Sequence, residues 1–200
     1  MRCFKLLGNR IGLLGGSFNP AHKGHLYISQ QALKRLGLNG VWWVVSPQNP
    51  LKSKSEMNSF QSRIETATAL ASSEPRILTT GIEKNLRTAY TADTLDALTG
   101  AYPKIQFIWL MGADNLLQIP KWDRWTSIFL TMPITVFTRQ SYSLRALRGT
   151  AAKIFAKNQI SIRKIQHLVT MQPPVWAFLV IPENLTSATK IRLNSQRNNV

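Results

Sequence analysis

The chain alternates short apolar runs with segments of helical periodicity, and this alternation most restricts the folds open to it. Continuous apolar runs of strand length, such as "VWWVV" at 41–45, are typical of strands covered on both faces. Strands separated by helices of about ten to fifteen residues predict right-handed βαβ crossovers. We therefore expect an α/β fold, a Rossmann-like doubly wound parallel sheet with helices on both faces.

The pattern predicts six strands and five helices along the chain. The predicted strands cover 10–16, 41–47, 76–83, 104–112, 132–139 and 174–182, and a Gly-Ala-Asp turn follows the fourth. The predicted helices cover 22–37, 59–73, 90–100, 143–158 and 187–196. A hydrophobic content of 44% in 200 residues is enough for one core, so a single domain over 1–200 is expected.

The charge balance is strongly basic, with 25 Lys and Arg against nine Asp and Glu and a net charge of +16. Such a charge attracts polyanions, namely nucleic acid, an anionic membrane or phosphorylated small molecules. Because the basic residues are scattered rather than clustered, a solvated basic surface is favoured over a nucleic-acid-binding tract.

The single cysteine, Cys3, allows no intrachain disulfide and indicates the cytoplasm, and no apolar run is long enough to predict a membrane span.

The glycine-rich stretch "GGSF" at 15–18 follows the first predicted strand and precedes the first predicted helix. Gly15 and Gly16 allow the backbone to approach a phosphate closely, and the amides of Gly16, Ser17 and Phe18 can point at its oxygens. In an open parallel sheet, ligands bind beyond the carboxyl ends of the strands. We therefore expect a pocket built from the loops at 15–25, 46–54 and 112–115.

Two of the three histidines, His22 and His25, follow this loop at a spacing that places them on one side of a helix N-terminus. Two imidazoles there can donate hydrogen bonds to a phosphate whose charge grows during a reaction. Metal binding is the rival interpretation, but no third His, Cys or carboxylate lies nearby in sequence, so no metal site is expected. A chance pair of structural histidines is the remaining alternative.

The segment "GSFNPAHKGH" resembles the GSFDPxHxGH signature of the nucleotidyltransferase superfamily. From Ile11 to Arg192 the chain is similar to bacterial nicotinate-nucleotide adenylyltransferases. "TSATKIR" at 186–192 resembles the ISSTxIR segment, with Thr186 and Ala188 in place of Ile and Ser. "MGADN" at 111–115, "AYTADTL" at 89–95 and "IPKW" at 119–122 are similar to three further segments of that family.

The resemblance implies a transfer of AMP from ATP to nicotinate mononucleotide, with ATP as co-substrate and Mg²⁺ bridging its phosphates. It implies two groups of site residues. Those at ATP are Gly15, Gly16, Ser17, Phe18, His22, His25, Gly112, Asp114, Ser187, Thr189 and Arg192, among which His22, His25 and Arg192 are catalytic. Those at the mononucleotide are Tyr90, Thr91 and Ala92 at the carboxylate and Trp122 on the pyridine ring. Composition alone suggests that the loop at 47–59 closes on substrate with Lys52 nearby.

Plainer interpretations of the later segments stay open. "SATKIR" alone is typical of an ordinary helix start, Asp114 of a turn, and Trp122 with Trp125 of a core. Sister enzymes acting on phosphopantetheine or CTP share the first motif, and only "AYTADTL" and "IPKW" argue against them. A basic nucleic-acid-binding protein is the alternative from another class, although no RRM, KH or helix-turn-helix pattern is found. Nucleic acid and membrane are therefore not expected as partners, while a homo-oligomer is compatible with the sequence.

Overall fold

A computed structural model describes residues 8–47, 57–138 and 142–182. Its centre is a six-stranded sheet in the order β3-β2-β1-β4-β5-β6, in which every pair of neighbours is parallel. The strands are β1 (Arg10–Gly16), β2 (Gly40–Val45), β3 (Ile77–Thr80), β4 (Gln106–Gly112), β5 (Ile134–Phe137) and β6 (Trp176–Leu179). This order confirms the Rossmann-like prediction, because the two halves of the sheet diverge between β1 and β4.

The connections between strands are helical. The α-helices are α1 (Lys23–Arg35), α2 (Phe60–Ala71), α3 (Ile82–Leu86), α4 (Thr91–Ala101), α5 (Ala113–Gln118), α6 (Trp125–Thr131), α7 (Ser143–Leu147) and α8 (Thr150–Ile154). Within the described ranges, 3₁₀ segments lie at Ile119–Lys121, Ala156–Asn158 and Ile162–Thr170. No helix in the described ranges combines the length and the apolar composition that crossing a bilayer requires.

The core lies on both faces of the sheet. Side chains of successive strand residues point to opposite faces. Trp42 belongs to one buried cluster together with residues of α4, α6 and α8, and Trp43 belongs to a second cluster with residues of α1 and α2. Since all six residues of β2 are buried, this strand needs apolar side chains on both of its faces, as its sequence indicates. The prediction of helices on both faces is confirmed.

Three details of the predicted pattern are wrong. The predicted strand at 76–83 ends at Thr80, and α3 begins at Ile82. The predicted Gly-Ala-Asp turn is the start of α5, with Gly112 as its N-cap. The predicted helix at 143–158 is divided at Gly149, whose extended backbone interrupts the helical hydrogen bonding between α7 and α8.

Candidate active site

The strand order brings the predicted glycine loop to the centre of the sheet edge. β1 lies between β2 and β4, so the carboxyl ends of these three strands are neighbours. The amide of Ser46, just after β2, donates to the carbonyl of Gly16 at 2.9 Å. The edge between β1 and β4 is the point where strand order reverses, and open α/β sheets bind their ligands there.

The two histidines form the N-terminal cap of α1. His22 is the N-cap residue and is buried, and its Nδ1 accepts the amide of Gly24 at 3.1 Å. The amide of His22 in turn donates to Nδ1 of His25 at 3.2 Å. The ring centroids lie 3.9 Å apart, so both imidazoles lie on one side of the helix start, as their spacing predicts.

This capping arrangement fixes the tautomer of both rings. A nitrogen that accepts a hydrogen bond carries no proton, and a neutral imidazole with a bare Nδ1 carries its proton on Nε2. Both rings are therefore Nε2–H donors.

The first turn of the 13-residue helix α1 holds no acidic residue, and its last turn holds Lys34 and Arg35. The positive end of the helix dipole favours an anion at this end of α1.

The ring of Phe18 packs against the histidine pair through the ring of His25. Its ring lies 4.6 Å from the ring of His25 and stacks on Trp43 at 5.2 Å. The backbone of Phe18 has a φ of 47°, in the left-handed region that non-glycine residues seldom adopt. The indole of Trp43 donates to Ser29 Oγ at 2.7 Å, and that hydroxyl donates to the carbonyl of His25. The imidazole of His25 therefore rests on a rigid, buried base.

The two glycines of the loop differ in what they leave room for. A Cβ on Gly15 would lie 2.2 Å from Trp109 Cη2, so packing of β1 against this indole already requires glycine. A Cβ on Gly16 would meet the ring of Phe18 at 3.5 Å and its backbone nitrogen at 3.9 Å, which are ordinary contacts. The sequence interpretation attributed both glycines to the approach of a phosphate, and the structure gives Gly15 an additional role in packing.

Gly112 and Asp114 lie at the carboxyl end of β4. Gly112 is the last strand residue and is buried, and Asp114 lies in the first turn of α5 and is half-buried. Because β4 is the neighbour of β1, both residues lie on the other side of the switch point from the glycine loop. Their place at the nucleotide stays a prediction.

The "AYTADTL" and "IPKW" segments are joined by contacts between α4 and the chain around α6. Asp93 in the first turn of α4 pairs with Arg124, and Asp96 accepts from Thr131 at 2.8 Å. Tyr90 is 44% exposed, and Ala92 has its side chain in the core, so only its backbone can contact a ligand. Trp122, two residues before Arg124, is half-buried and packs against the core. The residues predicted for the pyridine half therefore converge on one region.

Glu83, which sequence reasoning missed, is a buried carboxyl between the two halves. Its Oε1 accepts from Thr94 of α4 at 3.2 Å, and its side chain also bonds that of Ser46 after β2. Its Oε2 is buried and has no hydrogen-bond partner among the described residues. Burial raises the pKa of Glu83 from its ordinary 4.5 to about 7. The carboxyl therefore titrates close to neutral pH.

Arg63 of α2 is the other residue that sequence reasoning missed. Its side chain is 2% exposed, and its guanidinium donates to backbone carbonyls only. The four acceptors are Asn58 O at 3.1 Å, Ser17 O at 2.6 Å, Ser46 O at 2.8 Å and Pro47 O at 2.8 Å. Burial lowers the pKa of Arg63 from its ordinary value. The signal was present in the sequence, since Arg63 precedes the buried Ala67 and Ala71 at intervals of four.

Four predicted site residues lie outside the described residues. They are Lys52, Ser187, Thr189 and Arg192. The predicted helix at 187–196 and most of the predicted loop at 47–59 lie there as well.

The chain matches a protein family and is similar in sequence to named relatives. The cytidylyltransferase-like family model matches residues 13–194. A relative from Parvibaculum lavamentivorans, named "Probable nicotinate-nucleotide adenylyltransferase", is 49% identical over 185 residues, which are 92% of this chain and 92% of the relative. A relative of the same name from Cereibacter sphaeroides is 45% identical over 182 residues, 91% of this chain and 96% of the relative.

The solved structures extend the agreement to the fold. The nicotinic acid mononucleotide adenylyltransferase of Plasmodium falciparum complexed with NaAD has a TM-score of 0.68 at 19% identity, over 93% of this chain and 83% of its own. The same enzyme complexed with APC has a TM-score of 0.66 at 18% identity, over the same shares of the two chains. At these identities the likeness establishes the fold. The family match and the curated relatives together show that this chain belongs to the nicotinate-nucleotide adenylyltransferase family.

Proposed function

We propose that this protein transfers the AMP moiety of ATP to nicotinate mononucleotide, forming nicotinate adenine dinucleotide and pyrophosphate in NAD biosynthesis. The observation that carries the proposal is the pair of Nε2–H imidazoles, His22 and His25, at the N-terminus of α1 and behind a glycine loop. The names of the curated relatives supply the acceptor.

The reaction needs positioning and charge stabilisation more than proton transfer. An oxygen of the mononucleotide phosphate attacks the α-phosphorus of ATP, and the bond from that phosphorus to the oxygen bridging the α- and β-phosphorus breaks, so that pyrophosphate leaves. Because the second pKa of a phosphate monoester is about 6, the attacking group is mostly dianionic at neutral pH and requires no general base. Donors that meet the growing charge then supply most of the rate.

We assign the ATP half as follows. The amides of Gly16, Ser17 and Phe18 cradle the phosphates, and His22 with His25 donates to them in the transition state. Gly112 and Asp114 lie on the adenosine side. Ser187, Thr189 and Arg192 hold the departing pyrophosphate, since an arginine can bind phosphate oxygens in bidentate fashion. Gly15 belongs to the same loop and also has a packing role, because a Cβ at this position would clash with Trp109.

The acceptor half is assigned to the N-terminus of α4 and to Trp122. The N-cap residue of this 11-residue helix, Tyr90, makes no side-chain capping bond, so the first amides of the helix are not capped from that side chain. The amides of Thr91 and Ala92 can therefore receive the nicotinate carboxylate, which the helix dipole favours. Trp122 offers a ring face for the pyridine. Lys52 is proposed as a further contact of the mononucleotide.

Mg²⁺ is proposed as the metal that accompanies ATP. The described residues contain no group of three His, Cys, Asp or Glu able to hold an ion, and a Mg²⁺ ion bound mainly by phosphate oxygens and water needs no such group. Asp114, in the first turn of α5 just after β4, offers a carboxylate that could contact the ion. When bound, the ion would neutralise charge on the phosphates.

Three further expectations belong to this proposal. The chain is a single nucleotidyltransferase domain over 1–200. It acts in the cytoplasm, as its single cysteine indicates. Its partners are ATP and nicotinate mononucleotide rather than nucleic acid, and a homo-oligomer is compatible with the fold.

One assay tests the activity and separates it from its sister reactions. The protein is incubated with ATP, Mg²⁺ and, in separate reactions, nicotinate mononucleotide, nicotinamide mononucleotide and phosphopantetheine, and pyrophosphate is measured. Release that depends on nicotinate mononucleotide is expected. A parallel series with CTP in place of ATP addresses the cytidylyltransferases. Release only with phosphopantetheine, or only with CTP, would reject the proposed acceptor or donor, and no release with any combination would reject the enzymatic assignment.

A further inference from the structure

Arg63 lies outside every segment assigned above, yet its guanidinium joins the chain after β1, the chain after β2 and the start of α2. We propose that Arg63 is the positioning residue of the glycine loop: by holding the Ser17 carbonyl toward α2, it turns the amide of Phe18 toward the triphosphate. The inference rests on the proposed binding of ATP at this loop.

The geometry of a peptide unit carries the first step. In a trans peptide the C=O and the N–H of the same unit point in opposite directions. The cis bonds of the described residues are Asn19–Pro20 and Pro173–Pro174, so the unit joining Ser17 to Phe18 is trans. Since the Ser17 carbonyl points at Arg63 Nη1, at 2.6 Å, the Phe18 amide points away from Arg63.

The peptide unit that joins Gly16 to Ser17 is also held by a hydrogen bond to its carbonyl. The Gly16 carbonyl accepts the amide of Ser46 at 2.9 Å, on the β2 side of β1. The amide of Ser17, in the same peptide unit, therefore points to the opposite side. That side faces β4, where the order of the strands reverses. The Ser17 amide is thus directed at the crevice in which open α/β sheets bind nucleotides, and the Phe18 amide points away from α2.

The burial of Arg63 explains why the arrangement is rigid. No carboxylate of the described residues lies within ion-pair distance of Arg63, so its charge is stabilised by the four carbonyls. A buried charge without such partners is costly, and each carbonyl would also lose its donor if the guanidinium were removed. Asn19 adds a parallel tie, because its Oδ1 accepts the amide of Asn58 at 3.2 Å. The loop and the start of α2 are therefore held as one unit.

The chemistry of the side chain sets the choice of variants. A guanidinium is a planar fork that serves several carbonyls at once, whereas an ammonium is a compact donor on a flexible stem. Arg63→Lys should keep part of the contact to Ser17, and Arg63→Met should keep the volume and lose every bond. The order wild type, Arg63→Lys, Arg63→Met is expected for activity.

The kinetic test compares the two substrates. Because the Phe18 amide would lose its hydrogen bond to a charged phosphate, Arg63→Met should raise KM for ATP, or lower kcat, by about tenfold or more. KM for nicotinate mononucleotide should change by less than about twofold, a limit at the scale of a surface substitution. Ile165→Ala, a buried substitution in the 3₁₀ segment on the same face of the sheet, is the control for destabilisation alone.

A second measurement uses the wild-type protein, so it does not depend on the folding of any variant. In a ¹H–¹⁵N spectrum, addition of α,β-methylene-ATP should shift the amide resonances of Ser17 and Phe18 more than that of Ser46. Shifts of these two amides no larger than that of Ser46, or equal effects of Arg63→Met and Ile165→Ala on both KM values, would overturn the inference. If the wild type releases no pyrophosphate with any acceptor, the proposed function fails, and the spectrum still shows whether the amides of Ser17 and Phe18 face the nucleotide, as the inference about Arg63 requires.

Discussion

The two halves of the candidate site are held in different ways. In the phosphate half, His22 is buried and bonded to backbone amides, and Arg63 is buried and bonded to backbone carbonyls. In the pyridine half, α4 is joined to the chain around α6 by Asp93 with Arg124, whose side chains are 42% and 48% exposed. Donors that stabilise a transition state must be preorganised, whereas a ring-binding surface needs only shape and a charge of the right sign. We therefore expect damage to the first half to appear in kcat and damage to the second in KM.

The largest effect is expected for His25→Ala. Removing one donor that acts on developing charge lowers kcat by about 100- to 1000-fold. His167→Ala is the matched control, since His167 is an exposed residue of the 3₁₀ segment Ile162–Thr170 and lies outside every motif. Steady-state kinetics with both substrates measures the change. Near-normal turnover in His25→Ala would remove this residue from the mechanism and end the distinction between the halves.

Glu83→Gln probes the boundary between the halves. The folded protein binds the Glu83 proton more tightly than the unfolded chain, because burial raises the pKa from 4.5 to about 7. The free energy of unfolding of the wild type should therefore decrease as the pH rises from about 4.5 to about 7, by roughly 3 kcal/mol in total, and then level off. Glu83→Gln should lack this decrease.

Urea unfolding at a series of pH values measures this effect. Glu65→Gln, at an exposed position of α2, is the control and should keep the decrease of the wild type. Identical pH profiles of the wild type and Glu83→Gln would show that the buried carboxyl does not titrate in this range.

Trp122→Ala tests the pyridine half. Loss of an aromatic face should raise KM for nicotinate mononucleotide about tenfold, in line with the energy of a stacked ring, and change KM for ATP by less than about twofold. Trp122→Phe keeps an aromatic face and should remain within about threefold of the wild type. Equal increases in both KM values would place Trp122 outside the pyridine site.

The smallest effect is expected for Arg124→Gln. An exposed ion pair contributes at most about 1 kcal/mol, so the free energy of unfolding should change by less than that, and less at high salt. Arg76→Gln breaks a partly exposed pair with Glu74, between α2 and β3, and is the control. A small increase in KM for nicotinate mononucleotide is expected in Arg124→Gln alone. A decrease in the free energy of unfolding of Arg124→Gln well above this limit would contradict the contrast between the two halves.

The sheet could be predicted from sequence because its signal is local. Each of the six strands contains an apolar run, and the fully buried β2 is the clearest example. Helices α3, α5 and α6 were missed because five, six and seven residues are too few to show a period of 3.6 clearly. The division of the predicted helix at 143–158 was missed because a single glycine inside a periodic segment does not by itself indicate a break.

The site was predictable where chemistry follows a motif and was not where it depends on packing. The spacing of His22 and His25 indicated a shared side, and the structure adds the tautomer through two backbone bonds. Arg63 was passed over because an arginine in a helix is usually exposed, and its acceptors are far away in the sequence. Glu83 was placed in a strand, so its contact with Thr94 could not be foreseen.

The side chain and the backbone of Phe18 have separate roles. Its ring supports the imidazole of His25, and its left-handed main chain forms the corner of the loop. Any exchange of the side chain therefore disturbs both at once, so conventional mutagenesis at this position cannot say which of them the enzyme needs. Replacing the amide between Ser17 and Phe18 by an ester in a semisynthetic chain would delete the nitrogen proton and leave the phenyl ring in place.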